Sequence, residues 1–270
     1  MPPIRVALSI AGSDPTGGAG LQLDLQVFRA LGVHGCAVPT ALTVQDTAKV
    51  HSVLPLFPNV MTEQLRVLLK DVPPHAVKLG MLASDDVLRA VDFGLDVLRN
   101  LPVPIVIDPV LRASSGRELL ERRAIPGLRN LIGRAAIVTP NLPEAEVLCE
   151  RDVSTRAGIE SAAKHLVSEL GAAAALVKGG HRERDADDCL AHRTPSGVEV
   201  RWLAGERIPG GDVHGTGCAL SAAIAAQLAR GDELLAAVEA ARAFVRAGIA
   251  GAREIGGGRR VLGFGGSLVV

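Results

Sequence analysis

The residues best suited to chemistry lie in Gly210-Gly211-Asp212-Val213-His214-Gly215-Thr216-Gly217-Cys218-Ala219-Leu220-Ser221, a loop that runs into an alanine-rich helix. The first N–H groups of a helix have no intrahelical partners, and the aligned peptide dipoles add partial positive charge at the same end. Gly215, Thr216, Gly217 and Cys218 stand at that end, where backbone N–H groups can converge on one phosphoryl group. Cys218 then sits in the field of the helix terminus, which predicts a thiol moved toward thiolate and usable as a base. By composition alone, Gly-x-Gly before such a helix reads equally as close packing.

Further polar and glycine residues collect where short apolar runs end. Gly12-Ser13-Asp14-Pro15-Thr16-Gly17-Gly18-Ala19-Gly20 follows the first run and fits neither G-x-G-x-x-G nor a P-loop. It reads as a flexible loop that brings backbone close to a small ligand, with Asp24 one turn into the next helix, or as a tight turn beside a solvated aspartate. Asp108, Asn141 and Glu144 are oxygen ligands of the kind Mg2+ accepts next to substrate phosphates, and Asp108 and Asn141 read also as helix caps. Lys178 lies between an apolar run and Gly179-Gly180, where burial calls for an anion partner such as phosphate. His34, His51, His75 and His165 read as surface or packing residues. His214 adjoins the opening motif, and a purely structural role remains open for it.

The elements that must position these groups follow from hydrophobic patterning. Apolar runs at 6–11, 35–42, 76–79, 105–108, 136–139 and 174–177 alternate with amphipathic stretches at 19–31, 60–70, 85–100, 118–132, 142–149 and 154–170. Two alanine-rich helices, 217–230 and 232–254, close the chain, after a polar region at 181–188 and strand-like segments at 189–192 and 198–203. Strands alternating with helices predict an α/β fold whose parallel sheet is buried on both faces. Ligands of such sheets bind at the C-terminal strand edge, where the loops after 11, 108, 139 and 177 would gather. The glycine-rich tail 256–260 is predicted to be mobile.

The chain has 270 residues with 48% hydrophobic content, which fits one domain over 1–270. Lys plus Arg and Asp plus Glu each number 29, and no segment concentrates base, so nucleic acid is not an expected partner. Cys36, Cys149, Cys189 and Cys218 are widely spaced, with no zinc pattern, and read as reduced thiols of a cytoplasmic protein. The apolar run after Met1-Pro2-Pro3-Ile4-Arg5 is too short for a signal peptide, and no stretch approaches the roughly 20 apolar residues of a membrane span. Tyrosine is absent and aromatics make up 2%, so a binding pocket must rest on aliphatic, methionine and backbone contacts.

Seven motifs in order carry a family resemblance: residues 12–22, Thr40-Ala41-Leu42-Thr43-Val44-Gln45, Lys78-Leu79-Gly80-Met81-Leu82, Asp108-Pro109-Val110, Thr139-Pro140-Asn141-Leu142-Pro143-Glu144-Ala145, Val177-Lys178-Gly179-Gly180-His181 and His214-Gly215-Thr216-Gly217-Cys218. Over nearly all of 4–254 the chain resembles the hydroxymethylpyrimidine/phosphomethylpyrimidine kinases of the ribokinase-like superfamily. The resemblance implies an α/β three-layer sandwich around a mostly parallel sheet, a homodimer that uses ATP and Mg2+ to phosphorylate 4-amino-5-hydroxymethyl-2-methylpyrimidine and then its monophosphate, for thiamine biosynthesis. It also implies that Gly12, Asp24, Val44, Gln45, Met81 and Val110 surround the pyrimidine, with Cys218. Asp108 and Glu144 match the metal region, Lys178 and Asn141 the ATP side, and Gly215, Thr216, Gly217 and Cys218 the anion hole. Departures fall at Arg112-Ala113-Ser114-Ser115-Gly116, at Pro209-Gly210 and Val213, and at the C-terminus, which lacks the family's glycine-histidine-glycine-proline element. A pyridoxal kinase of the same fold is the nearest rival, and a pyrimidine sensor without turnover is a rival of another class. Gln45 favours the pyrimidine, because an amide donor and acceptor suit a ring nitrogen beside an exocyclic amine.

Overall fold

A computed structural model of the chain describes residues 3–99, 101–180, 186–208 and 213–264. Nine strands form one sheet: β1 (Val6–Ser13), β2 (His34–Gln45), β3 (Val50–Pro55), β4 (Ala76–Leu79), β5 (Ile105–Ile107), β6 (Ile137–Val138), β7 (Ala174–Val177), β8 (Asp188–Thr194) and β9 (Gly197–Leu203). Their order is β3-β2-β1-β4-β5-β6-β7-β8-β9. From β2 to β7 all neighbours are parallel, while β3 at one edge and β8 and β9 at the other run antiparallel. The order reverses between β1 and β4, so the crevice for a ligand opens at the C-terminal ends of these two strands.

The helices are α1 (Gly20–Ala30), α2 (Pro58–Asp71), α3 (Asp85–Gly94), α4 (Ile125–Ile132), α5 (Leu142–Cys149), α6 (Arg156–Ser168), α7 (Thr216–Arg230) and α8 (Leu234–Ala250). Successive strand residues point to opposite faces of a sheet, and both faces here are covered. Leu8, Ile10, Val77, Leu79, Ile105, Ile107, Val138 and Val177 pack under α2 to α6. Ala7, Ala76, Val106, Ile137, Ala174 and Leu176 pack under α1, α7 and α8. The alanine-rich α7, with ten buried residues, lies close against the sheet because its side chains are small.

Four expectations need correction. The strand at β3 was not predicted; it exists because β2 runs three residues beyond the predicted end at 42, and its edge pairs with Val50–Pro55 in a hairpin. The helix expected over 118–132 begins only at Ile125. Leu119 N–H donates to Leu111 O (2.8 Å) and Glu121 N–H to Ala83 O (3.1 Å), so this stretch is bound to neighbouring loops before Pro126 opens α4. The helices expected over 85–100 and 232–254 are shorter, α3 giving way to a 3-10 turn at Leu95–Leu98 and α8 ending at Ala250. The predicted positions 181–185 and 209–212 lie outside the described residues.

The fourth correction is the tail. Gly258 N–H donates to Thr47 Oγ1 (3.0 Å) and Arg259 N–H to Thr47 O (2.9 Å), at the tip of the β2–β3 hairpin. A short parallel pair follows, β10 (Val213–His214) with β11 (Arg260–Val261). Glycine content suggested mobility, but here it permits contact: a β-carbon on Gly258 would overlap the Thr47 backbone. Gly258→Val is therefore expected to detach the tail from the hairpin. Hydrogen exchange at the amides of Gly258 and Arg259 should rise at least about tenfold, the loss of roughly one hydrogen bond's stabilisation, while protection in β4 to β7 stays unchanged.

Candidate active site

Strand alternation selects the polar face. Ser9, Lys78, Asp108, Thr139 and Lys178 continue the strand positions occupied by Ala7, Ala76, Val106, Ile137 and Leu176, which all face α1 and α7. Five polar side chains from five adjacent strands therefore meet beneath the start of α7. All lie at or near the C-terminal strand ends except Ser9, which pairs directly with Lys78 across β1 and β4.

Lys78 and Asp24 form a fully buried ion pair, with Nζ 2.7 Å from Oδ2 and 3.0 Å from Oδ1 and no exposure of either side chain. Ser9 donates a short hydrogen bond to Asp24 Oδ2. Burial pushes the Asp24 carboxyl up, against the opposing pull of Lys78. For Lys78, burial works against the charge, but Asp24, Cys218 and Asp108 outweigh it and hold the ammonium on. Asp24 is thus not a solvated aspartate: in this structure its carboxylate is taken up by Lys78 and Ser9. Sequence reasoning missed Lys78 and Ser9 as site residues. The signal was present: a lysine inside the apolar strand Ala76-Val77-Lys78-Leu79 cannot be left unpaired.

At the start of α7, Gly215 is the N-cap, with φ 80° and no side-chain cap. Its left-handed backbone favours glycine, and a β-carbon there would strike Gly18 O in the loop after β1. The first intrahelical bond is Ala219 N–H to Gly215 O (2.9 Å), so the N–H groups of Thr216, Gly217 and Cys218 have no partner within the helix. Cys218 is pushed up to about 11 by burial, with Lys78 and a backbone hydrogen bond from Gly20 pulling the other way and Asp108 and Asp24 adding to the rise. The predicted drift toward thiolate does not occur: burial raises the thiol, and the unliganded protein carries it protonated at neutral pH.

Lys178 Nζ lies 2.9 Å from Asp108 Oδ1; the aspartate is buried, and the lysine side chain keeps 14% exposure. The same ammonium would stand 3.1 Å from a β-carbon on Gly217, so it reaches the start of α7. Asp108 also meets Thr139 Oγ1 (3.4 Å) and Ser221 Oγ (3.4 Å), and no cap by its side chain is recorded. Asn141 does cap α5 in a reciprocal box. Glu144 N–H donates to Asn141 Oδ1 (2.9 Å), and Asn141 N–H donates to Glu144 Oε2 (2.8 Å). Burial raises the Glu144 carboxyl to about 7, against Lys178 and with Asp108.

The residues expected around the pyrimidine divide. Met81 packs over Gly12, its sulfur 2.9 Å from where a β-carbon would stand, and Met81 and Val110 share a small apolar cluster with Ala41, Val50 and Leu119. Gln45 is next to His214, with 3.1 Å between the Gln45 amide and Nε2. Val44 is 52% exposed and alternates to the face opposite Thr43, so the structure leaves it outside this cluster. A cavity of about 20 Å3 is lined by Gln45, the hairpin tip, Ala113-Ser114-Ser115, His214 and Arg259. Among the described residues no three or more His, Cys, Asp or Glu cluster to hold a metal, and no helix is long and apolar enough to cross a membrane.

Two stability outcomes follow. Lys78→Met alone leaves the Asp24 charge buried without its partner and should cost about 3–5 kcal/mol in urea unfolding, whereas adding Asp24→Leu should restore most of that loss. For Glu144, the folded value of about 7 lies above the ordinary 4.5. The folded chain then holds a proton that the unfolded chain has released, so the contribution is full below pH 4.5 and lost as pH rises through 7. Relative to Glu144→Gln, the wild type should lose on the order of 2–3 kcal/mol between pH 5 and pH 8; parallel stability curves would show that Glu144 is ionised throughout.

Comparison with known proteins agrees with this geometry. The family model described as phosphomethylpyrimidine kinase matches residues 14–262. The chain is 42% identical over 258 residues to a hydroxymethylpyrimidine/phosphomethylpyrimidine kinase of Rhizobium meliloti, covering 94% of each chain. A Clostridium difficile phosphomethylpyrimidine kinase structure superposes with TM-score 0.80 at 34% identity, covering 91% of this chain and 99% of that one. An ADP complex of Bacillus subtilis pyridoxal kinase superposes with TM-score 0.86 at 30% identity, covering 96% and 97%. The α/β sandwich is thus the ribokinase-like fold shared by both activities. With its matched length, the chain belongs to the phosphomethylpyrimidine kinase family.

Proposed function

We propose that this protein transfers the γ-phosphoryl group of ATP to 4-amino-5-hydroxymethyl-2-methylpyrimidine, and then a second one to the resulting monophosphate. The observation that carries the reading is the convergence of Lys178, Asp108 and the uncapped α7 N-terminus on one point beside Cys218. Phosphoryl transfer needs in-line placement and neutralised oxygen charge more than covalent help. Lys178 and the N–H groups of Thr216 to Cys218 supply two sources of positive charge. Asp108 and Glu144 are two carboxylates without a third, which fits Mg2+ held partly by substrate phosphates and water rather than by a protein cage. When bound there, Mg2+ would neutralise phosphate oxygens, and Asn141 would hold Glu144 in place through the α5 cap.

The pyrimidine would rest on the apolar floor of Met81 and Val110, with its polar edge toward Gln45. Ring-poor composition suits such a floor. Exposed Val60 and Val67 line a groove of about 700 Å3 between α2 and β2, and β2 and β3 expose Leu42, Val44 and Leu54, which supports a homodimer through apolar surface on this side of the chain. All four cysteines are free, in keeping with work in the reducing cytoplasm by one domain over the whole chain.

Pyridoxal is the second reading, favoured by the 0.86 superposition on a pyridoxal kinase. Incubating the protein with Mg-ATP and each alcohol, then identifying products by mass, separates the two. The expected result is pyrimidine monophosphate followed by diphosphate, and pyridoxal phosphate alone would overturn the assignment; binding without ADP release would make the protein a sensor. Cys218 should matter unequally. The alcohol must lose a proton, which Cys218 can take only as the thiolate, the form that burial disfavours in the unliganded protein, whereas the monophosphate oxygen, with a second pKa of about 6, is already ionised. Cys218→Ala should slow the first step about a hundredfold and the second by less than about tenfold; equal losses would make Cys218 a positioning group.

A further inference from the structure

His214 has two polar neighbours at one nitrogen. Its Nε2 lies 3.2 Å from Asp14 Oδ2 and 3.1 Å from Gln45 Nε2. Asp14 is 4% exposed in its side chain and is fixed from both ends of its turn. Its Oδ1 accepts from Thr16 N–H (2.9 Å), and its own N–H donates to Gln22 Oε1 (3.0 Å). A buried carboxylate facing an imidazole lone pair is repulsive, so Nε2 must carry the hydrogen and donate it to Asp14. A second N–H from Gln45 would then meet that hydrogen head-on. Turning the Gln45 amide over about its last bond removes the conflict, because Oε1 then accepts from His214.

The other end of the amide gives the same answer independently. Thr43 has one hydroxyl proton, and Ser13 O takes it at 2.9 Å, closer than the Gln45 atom at 3.3 Å. What faces Gln45 is therefore a Thr43 lone pair, which calls for the amide NH2 on that side. Both constraints set one orientation, with NH2 toward Thr43 and Oε1 toward His214. Gln45 and His214 line the same small cavity, where the remaining hydrogen and lone pair of the amide are available to a ligand.

We propose that His214, held by Asp14, is a specificity-determining positioning residue that locks the Gln45 amide in the donor–acceptor order matching an N–C–NH2 edge. This rests on the pyrimidine-kinase reading and deepens it. The Gln45 NH2 donates to the ring nitrogen on the Thr43 side, and Oε1 accepts from the exocyclic amine on the His214 side. The next ring substituent, the hydroxymethyl group, then lies beyond the amine, toward Gly215 to Cys218, which follow His214 directly in the chain. A ring bearing a carbonyl and a ring N–H in these positions presents the reverse order and meets donor against donor.

The test compares the aminopyrimidine alcohol with its 4-oxo analogue in wild type, His214→Gln and Asp14→Asn, using Mg-ATP. Gln at 214 offers either a donor or an acceptor, and Asn at 14 lets the imidazole adopt either tautomer, so each variant frees the Gln45 amide to turn. The ratio of kcat/KM for amino over oxo substrate should fall at least about tenfold in both variants, chiefly through KM, with melting temperatures near wild type. An unchanged ratio in both would overturn the proposal even if activity fell. Wild type that phosphorylates neither alcohol would overturn the kinase reading as well, which separates the two failures. Long-range nitrogen–proton NMR on the wild-type protein gives a readout independent of folding of the variants. Nε2 of His214 should carry the proton, and a hydrogen-free Nε2 would overturn the lock.

Discussion

The Lys78–Asp24 pair sits where β1, β4 and α1 meet under the start of α7, with no water on either side chain. Two charges removed from water this completely are tolerated only because each satisfies the other and Ser9 takes a further carboxylate lone pair. The geometry is demanding. Lys78 must lie opposite Ser9 across two parallel strands, and Asp24 must present its carboxylate one turn into the helix that follows β1. The register of the central strands and the docking of α1 are thereby tied to one contact, and the loop between β1 and α1 is held at both ends.

That contact also sets the electrostatics above it. Lys78 places positive charge below Cys218, and Lys178 places a second ammonium beside the α7 terminus, each matched by an aspartate. The site is close to neutral without a ligand and has donors left over for an incoming phosphoryl group. Burial keeps Cys218 as a thiol in this state, because the dry setting that strengthens every attraction also penalises a lone anion.

The hairpin, the β1–α1 loop and the C-terminal strand close on His214 from three sides. Gln45 approaches from the hairpin, Asp14 from the loop, and Val261 pairs with His214 in backbone register. The departure from the family at the C-terminus is met by Gly258 and Arg259 bonding the hairpin tip through Thr47. The surroundings of His214 are therefore built from segments that are far apart in sequence.

Much of this was legible in the amino-acid order. Six parallel strands, the Asn141–Glu144 cap, the helix starting at Thr216 and the polar strand ends follow from local periodicity and capping chemistry, which act over a few residues. Lys78 was legible in principle, as a charge inside an apolar run, but its partner was not, because Asp24 lies 54 residues away. The β2–β3 hairpin, the docked tail, the outward-facing Val44 and the protonated Cys218 were decided by tertiary structure alone. Each depends on which surfaces come together and how much water they exclude, and those quantities belong to distant segments packed in space rather than to neighbours along the chain.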